Sequence, residues 1–266
     1  GMFCNYLKVN FYKLAIKENF IKTITAIFNR LNIHIENLIP SPLSSALATL
    51  NNDDKLLGAI CIDFGSESTS VSVFENEKLI FIDSIKVGGK HITNDLARKF
   101  STTIESAERL KTLYGSVRSS PSDEYEVIEI QSMDSENSQS KEINRSSVNV
   151  IIKPRVEETL ELIWQKLKDY NLHKKQIKNL VITGGGALLE GIEEYAQFIF
   201  DSNVRIGKPR ILPGLSSKFL KPQFSQTVGT ILYNREDYEI NLLEKKEKNQ
   251  KNTIFSHFFA WLDRYI

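Results

Sequence analysis

Four short segments of the chain carry residue types that suit a phosphorylated ligand. The first is IDFGSEST at 62–69, in which Asp63 ends an apolar run and Gly65, Ser66 and Ser68 follow it. A turn that presents backbone N–H groups and hydroxyl groups can wrap a terminal phosphate. A carboxylate at the end of a strand can hold a hydrated Mg²⁺ ion. Asp63 is therefore the candidate Mg²⁺ ligand, through water, and the other three residues are candidate phosphate contacts; no catalytic residue is assigned with certainty.

The second and third segments add glycines and a charged pair. Gly88 and Gly89 follow a predicted strand, where they serve equally well as a turn or as a ligand contact. In AERLKTLYG at 107–115, Glu108 and Lys111 stand at i and i+3 and so share one face of a helix. The carboxylate can accept hydrogen bonds from ribose hydroxyls, and the ammonium can reach a phosphate or an adenine nitrogen. In most helices such a pair is an ordinary surface pair.

The fourth segment, VITGGGALLEG at 181–191, is ambiguous by itself. Gly184, Gly185 and Gly186 separate a short apolar strand from a helix predicted to start near Ala187. Glycines there let the backbone pass close to a ligand phosphate near the helix start, although the same pattern also makes a tight turn. The segment has neither the G-x-G-x-x-G nor the G-K-[ST] pattern, so the Rossmann and P-loop interpretations fail.

The hydrophobic pattern predicts the elements that position these segments. The continuous apolar run at 56–65 is typical of a buried central strand, and strands at 68–76 and 79–87 continue it as an antiparallel meander. Helices are expected at 92–100 and 104–113, the second capped by its preceding threonine. Further strands are expected at 7–14, 125–130, 148–152, 179–183 and 204–206, an exposed loop at 132–144, and further helices at 18–31, 154–170, 188–200 and 225–232.

Composition limits the function classes. The 266 residues, 41% of them hydrophobic, suffice for one large or two small domains. With 34 basic and 33 acidic residues the formal charge is +1, which argues against a nucleic-acid partner. Cys4 and Cys61 have no metal-ligand spacing, and no Ser/His/Asp or Cys/His arrangement is visible. No run approaches the roughly 18 apolar residues of a transmembrane helix, which predicts a cytosolic protein or one peripheral to a membrane on its cytosolic side.

The order of the four segments resembles the second half of an actin-like ATPase, and within that superfamily the FtsA family of bacterial cell-division proteins. The resemblance is carried by VGGKHITNDLA (87–97), AERLKTLYG (107–115), VITGGGALLEGIEEYA (181–196) with VRIGKP (204–209), and QTVGTILY (226–233). It implies an α/β fold of the actin-like (ribonuclease H-like) ATPase type, with an incomplete first domain and a C-terminal amphipathic helix. The first phosphate hairpin of the family is absent, so we expect a fragment or a split reading frame, truncated at its N-terminus.

The resemblance also implies a division into the subdomains of the family. The expected parts are the end of subdomain 1C (1–52), the first part of 2A (53–92), 2B (93–153), the second part of 2A (154–210), the returning part of 1A (211–236), a linker (237–253) and a membrane-targeting helix (254–266).

By the same resemblance, the protein binds ATP and Mg²⁺, self-associates into filaments and ties the FtsZ ring to the membrane, with at most weak ATPase activity. Its place is then the cytoplasmic face of the bacterial inner membrane at the division site. Subdomain 2B of the family binds the C-terminal tail of FtsZ, and Arg98, Lys99 and Arg109 are candidate contacts for that acidic tail. The alternatives on the same fold are a pilus-assembly actin homologue, an Hsp70-like ATPase and a sugar kinase.

The last segment, IFSHFFAWLDRYI at 254–266, has the pattern of a helix that lies in a membrane interface. Its aromatic and aliphatic residues, with lysines before it, suit anionic lipids. The alternative is a helix docked on the protein's own core, but the polar linker before the segment argues against close docking. The candidate membrane residues are Phe255, Phe258, Phe259, Trp261, Leu262, Tyr265 and Ile266.

The chain departs from the family in the first of the four segments. The common form has glycines where Ser66 and Glu67 stand, and a threonine where Ser68 stands. A carboxylate 4 Å from a phosphate charge costs on the order of 4 kcal/mol at an effective dielectric constant of about 20. Glu67 is therefore tolerable only if its side chain points away from the phosphates or meets Mg²⁺, and efficient hydrolysis is in doubt.

Overall fold

A computed structural model describes residue 6, residue 8 and residues 13–131, 140–172 and 179–233. The chain forms two compact units, Gly1–Pro40 and Ser41–Ile266. Within the described ranges, no helix has the length and apolar character needed to cross a membrane.

The helices are α1 (Glu18–Arg30), α2 (Ser41–Thr49), α3 (Asn52–Leu57), α4 (Gly89–Phe100), α5 (Ile104–Tyr114), α6 (Arg145–Asp169) and α7 (Ile192–Phe200), and residues 225–233 are also helical. The strands are β1 (Ala59–Phe64), β2 (Thr69–Glu75), β3 (Lys78–Ile85), β4 (Val127–Gln131), β5 (Ser140–Asn144), β6 (Asn179–Thr183) and β7 (Asn203–Ile206).

The first unit contains α1, which confirms the helix predicted at 18–31. Its apolar residues recur at helical spacing, yet none of its residues is buried, and Phe20 and Ile27 are about half exposed. On its polar face Lys22 and Glu18 form an exposed ion pair at 2.8 Å. The strand predicted at 7–14 falls mostly outside the described residues.

The second unit is built on a five-stranded sheet with the strand order β3-β2-β1-β6-β7. The predicted meander is confirmed, because β1 pairs antiparallel with β2, and β2 with β3. β1 also pairs in parallel with β6, and β6 with β7. Since Asp63 lies beside Thr183 in that register, the turns after β1 and β6 leave the sheet at the same edge.

β1 is buried on both faces, which explains its unbroken apolar sequence. Ile60, Ile62 and Phe64 join the large core formed with α4, α5, α6 and α7. Ala59 and Cys61 point to the other face, where they form a second core with α2. The sheet is therefore a middle layer between helices, and its edges can carry functional turns.

Two predictions around α6 are wrong. Residues 148–152 belong to this helix rather than to a strand, and the helix begins at Arg145 instead of Pro154. A proline inside a helix removes one backbone hydrogen bond. Here Pro154 and Val150, whose carbonyl loses that bond, are both exposed, so water can replace it. The buried residues before and after the proline hold the helix continuous; they are Val148, Ile152, Val156, Leu160, Ile163 and Leu167.

The strand predicted at 125–130 is confirmed as β4, but its partner is β5, which lies in the stretch predicted to be a loop. β5 has Ile143 as its single buried residue, so its sequence carries no alternation that periodicity could detect. The remaining correction concerns the helix predicted at 188–200. A 3₁₀ turn at Gly185–Leu188 comes first, and the α-helix begins only at Ile192.

Candidate functional site

The turn between β1 and β2 is closed tightly by its own backbone. The Gly65 N–H donates to the Ser68 carbonyl at 3.1 Å. A β-carbon added at Gly65 would lie 2.7 Å from that same oxygen, so the turn requires glycine. We call residues 65–68 the first turn.

A second turn, Gly88–Gly89, packs directly against the first. The Gly89 N–H donates to the Gly65 carbonyl at 2.9 Å, and the Lys90 N–H donates to the Ser66 carbonyl at 2.8 Å. A β-carbon at Gly88 would lie 2.6 Å from both of these carbonyl oxygens, whereas one at Gly89 would make only ordinary contacts. Gly88, which precedes α4, must be glycine because any side chain would prevent the two backbones from approaching so closely.

The third turn, Gly184–Gly186, follows β6. Gly184 has φ of 85°, and a β-carbon on it would lie 2.3 Å from Asp63 Oδ1. A β-carbon on Gly186 would lie 2.4 Å from the Phe64 ring. Gly185 differs, because nothing lies within 4 Å of the position that its β-carbon would take. Two of the three glycines therefore serve packing, and Gly185 faces open space.

The predicted pair on α5 forms a network with the second turn. Lys111 Nζ donates to Glu108 Oε2 at 2.6 Å, to Thr93 Oγ1 at 2.9 Å and to the Gly89 carbonyl at 3.1 Å. The Thr93 hydroxyl in turn donates to Glu108 Oε2 at 2.5 Å. Burial alone would raise the pKa of Glu108, but the hydrogen bonds from Lys111 and Thr93 outweigh it and lower this pKa. Glu108 is therefore ionised and, with Lys111, ties α5 to the second turn.

These elements surround a cavity of about 290 Å³. Seven of the twelve candidate nucleotide residues line it, namely Gly65, Ser66, Gly89, Glu108, Lys111, Gly185 and Gly186. The other lining residues were not predicted from the sequence; they are Ile92, Thr112, Leu188, Leu189 and Gln223. Thr112 and Ile92 share helix faces with predicted residues, so helical periodicity could have found them. Gln223 carries no such signal; it follows Pro222, whose carbonyl accepts from the Gly184 N–H at 3.2 Å.

Five candidates lie outside the cavity lining: Asp63, Ser68, Gly88, Gly184 and Ala187. Three of them shape the turns described above, since the Ser68 carbonyl closes the first turn and the two glycines permit close backbone contact. Ala187 is 4% exposed and packs in the large core, inside the 3₁₀ turn rather than at the start of α7.

Asp63 is the last residue but one of β1, and its carboxylate is half-buried. Its Oδ2 accepts a hydrogen bond from Ser45 of α2 at 2.5 Å, a contact that the sequence analysis did not foresee. Burial raises the pKa of Asp63, and the Ser45 hydroxyl opposes that rise. In the part of the chain that the structure describes, no basic side chain forms an ion pair with Asp63. A carboxylate that is partly desolvated and has no cationic partner is suited to a hydrated cation.

Glu67 points toward α4 and pairs with Lys90, whose Nζ lies 2.7 Å from Glu67 Oε1. Both side chains are more than half exposed. The hydrogen bond and the charge of Lys90 lower the pKa of Glu67. The negative charge of Glu67, which would repel a nearby phosphate, is thus neutralised by the ammonium group of Lys90.

The candidate partner contacts are all exposed. Arg98 and Lys99 occupy the last turn of α4, where basic residues also complement the helix dipole, and Arg109 lies on α5. The seven candidate membrane residues and the linker before them lie outside the described residues.

The chain is similar to known proteins in both sequence and structure. The family model described as cell division protein FtsA matches residues 60–229. The cell division protein FtsA of Rhizobium meliloti (strain 1021) is 36% identical over 234 residues, covering 88% of this chain and 53% of that protein. The protein of the same name from Helicobacter pylori (strain ATCC 700392 / 26695) is 28% identical over 239 residues, covering 88% of this chain and 49% of that protein.

Solved structures of actin-like proteins share the fold. MreB5 of Spiroplasma citri bound to ADP superposes with a TM-score of 0.69 at 16% identity, covering 83% of this chain and 66% of that one. A type IV pilus biogenesis complex, PilM–PilN, gives a TM-score of 0.59 at 18% identity, covering 80% and 57%. The expected α/β fold of the actin-like type is therefore confirmed.

The chain spans about half the length of the curated relatives it matches. The family match nevertheless covers most of the described residues, and it includes all three turns and the network on α5. The chain therefore belongs to the family of the cell division protein FtsA.

Proposed function

We propose that this chain supplies one wall of an ATP site in an actin-like cell-division protein that polymerises and links the FtsZ ring to the membrane. The observation that carries the nucleotide part is the cavity enclosed by three turns and the Glu108–Lys111 pair. Its lining combines backbone from Gly65, Gly89 and Gly185 with one carboxylate and one ammonium group. Such a lining suits a ligand that carries a sugar and phosphates rather than a purely apolar one.

The direction of the ligand follows from the chemistry of the two ends. The first turn, with the Ser66 and Ser68 hydroxyls, suits the phosphates, and Glu108 on α5 suits the ribose hydroxyls. Lys111 has three acceptors within 3.1 Å, so it holds α5 and the second turn in position for the ligand. MreB5 of Spiroplasma citri, which shares the fold, was solved bound to ADP and to AMPPNP, and this supports the choice of an adenine nucleotide.

Mg²⁺ is the metal that the donor set fits. Asp63 is a single hard oxygen ligand beside the first turn, and Mg²⁺ in nucleotide sites keeps several waters and takes one or two carboxylates. Among the described residues, no cluster of three or more His, Cys, Asp or Glu side chains could hold a metal by itself. When bound, Mg²⁺ would neutralise phosphate charge, while Ser45 holds the Asp63 carboxylate in place.

The test of the nucleotide site is a substitution that leaves the fold intact. In Gly185→Val the new side chain enters the open space at the cavity wall, where nothing lies within 4 Å of the β-carbon. We expect ATP affinity, measured by isothermal titration calorimetry, to fall by about tenfold or more with little change in melting temperature. Asp63→Ala should weaken binding in the presence of Mg²⁺. Unchanged affinity in both variants would overturn the proposal.

The measurement should be made on two chains, because the relatives are about twice as long. One is the present chain, and the other is this chain extended at its N-terminus to the length of the relatives. We expect tighter binding in the longer chain, since the second wall of the cleft then contributes contacts.

Polymerisation and membrane attachment form the second half of the proposal. The MamK double helical filament shares the fold at a TM-score of 0.58, which supports self-association. A single interfacial helix binds lipid reversibly, and a filament multiplies such anchors. We expect the full chain to float with anionic liposomes and the chain lacking residues 254–266 to remain below. Failure of the full chain to float would remove the membrane role and leave the nucleotide site untouched.

The FtsZ contact is tested separately. Arg98, Lys99 and Arg109 are exposed on α4 and α5, where they can meet an acidic peptide. We expect reversal of all three charges to weaken binding of an FtsZ C-terminal peptide in fluorescence anisotropy and to reduce its salt dependence. Equal binding by the variant would exclude these residues as contacts.

A further inference from the structure

The Glu67–Lys90 pair lies beside residues that line the cavity. Ser66 lines the cavity and also lines a shallower surface beside it, which includes Lys90, Thr93 and Glu108. Glu67 is the next residue of the first turn, and its carboxylate meets the Lys90 ammonium at 2.7 Å. The two charges therefore lie next to the wall where the phosphates of a nucleotide are expected.

The backbone fixes these two side chains near each other. The hydrogen bonds Gly89 N–H to Gly65 carbonyl and Lys90 N–H to Ser66 carbonyl hold the start of α4 against the first turn. The two segments therefore cannot separate without breaking these hydrogen bonds. A change of partner by Lys90 thus requires only rotation of its flexible side chain.

Several backbone donors at this end of the cavity are not free to meet a phosphate. The N–H groups of Gly65, Gly89 and Lys90 are already donated to carbonyl oxygens of the two turns. Lys111 is committed as well, because its side chain is 13% exposed and has three acceptors. Lys90 is 53% exposed and is held by one carboxylate, so it is the ammonium that an arriving phosphate can redirect at the lowest cost.

We propose that Glu67 and Lys90 form a charge switch that makes the site sensitive to the number of phosphates on its nucleotide. With a triphosphate bound, Lys90 leaves Glu67 and pairs with the terminal phosphate. With a shorter nucleotide or none, Lys90 returns to Glu67, so that the turn carries no unopposed charge. This inference rests on the proposed nucleotide site and adds a mechanism by which that site distinguishes its ligands.

The test compares AMPPNP with AMP, because only the former reaches the first turn with a terminal phosphate. We expect Lys90→Gln to weaken AMPPNP binding by about tenfold and AMP binding by less than about twofold, since it leaves Glu67 unopposed. Glu67→Gln should tighten AMPPNP binding by about threefold, because Lys90 no longer has a competing partner. The double variant should fall between the two, and its measured coupling gives the interaction of the pair.

The chain offers a matched control in Lys22→Gln. Lys22 forms an exposed ion pair with Glu18 at 2.8 Å, in the other compact unit. This variant should bind both nucleotides as the unaltered chain does, and melting temperatures of all variants verify that they fold.

The outcomes separate this inference from the proposed function. If the unaltered chain and its N-terminally extended form bind neither nucleotide, the nucleotide site itself is refuted. If they bind and Lys90→Gln lowers AMPPNP and AMP affinity equally, or changes neither, the pair is a surface ion pair and the switch is refuted. If Glu67→Gln weakens AMPPNP binding, Glu67 assists the phosphate instead of competing for Lys90, which also refutes the switch.

Discussion

The turn at Gly184–Gly186 and the turn at Gly88–Gly89 both bring the backbone close to a neighbouring segment, but the neighbouring atoms differ. In each, some glycines allow a close approach and another borders the cavity. At Gly184 and Gly186 a β-carbon would clash with Asp63 and Phe64 of β1, while Gly185 faces open space. At Gly88 a β-carbon would clash with two backbone carbonyl oxygens, and the next residue, Gly89, lines the cavity. A run of glycines therefore mixes residues required by packing with residues that leave room for a ligand, and Gly186, which also lines the cavity, is of both kinds.

The largest effect is expected where the turn is most crowded. Gly184→Ala combines φ of 85° with a β-carbon 2.3 Å from Asp63 Oδ1, so the chain must shift. We expect the free energy of unfolding to fall by about 3 kcal/mol. Gly185→Ala, one residue on, should change it by less than about 0.5 kcal/mol. Urea unfolding of the two variants measures the difference. Equal losses of unfolding free energy would contradict the distinction between glycines required by packing and glycines that border open space.

The second turn should show the same contrast at smaller scale. Gly88→Ala meets two carbonyl oxygens at 2.6 Å but keeps an extended backbone that any residue adopts. We expect a loss of about 2 kcal/mol from the displaced hydrogen bonds between the turns. Gly89→Ala should be nearly neutral, because alanine favours the helix that starts there. If the Gly89 variant proved the less stable, the packing assignment would have to be reversed.

Lys111 distinguishes the two turns, since it is bonded to the second. In Lys111→Met the apolar stem is kept while the ammonium is lost from Gly89, Thr93 and Glu108. We expect a loss of about 1–2 kcal/mol, less than the sum of the separate bonds, because Glu108 is half exposed and solvent screens it. The exposed Lys22→Met serves as the control and should change stability by less than about 0.5 kcal/mol. A loss no greater than that of the control would contradict the network.

The last prediction concerns Asp63, against which Gly184 packs. Burial raises the pKa of Asp63 above its ordinary value of 3.8, so ionisation costs folding free energy. Stability from this group is complete below that ordinary value and is lost as the pH rises through the raised pKa. Asp63→Asn should therefore be the more stable protein at pH 7, by about 1.4 kcal/mol for each unit of the rise. Melting curves at several pH values test this, and a difference that does not grow with pH would count against it.

Several features were predictable from sequence because they depend on local patterns. The unbroken apolar run at 59–64 and the alternation in its neighbours gave the meander, since burial on both faces or on one face sets the hydrophobic period. The threonine cap of α5 was predictable for the same local reason: the Thr103 hydroxyl accepts from the Ser106 N–H at 3.1 Å. The order of the four segments was specific enough to identify the family.

Other features were not predictable, because local rules gave the wrong answer. Pro154 normally starts or breaks a helix, yet α6 continues through it, since the core contacts on both sides outweigh one lost hydrogen bond. β5 could not be predicted because a strand with a single buried residue shows no hydrophobic alternation. In both cases the deciding contacts join residues that are distant in the sequence.

By itself, the sequence determined the elements with a strong local period, such as the meander, α4 and α5, and the residue types that reach the edge of the sheet, because those periods depend on neighbouring residues. Only the tertiary structure decided which of those residues pack against neighbours, which border the cavity and which pair with another charge. It assigned Gly185 to open space and Gly184 and Gly186 to packing, it tied Lys111 to the second turn, and it gave Glu67 its partner in Lys90. These assignments depend on the distance between atoms brought together by β1, β6, α4 and α5, and that distance is set by the packing of the core rather than by any local pattern.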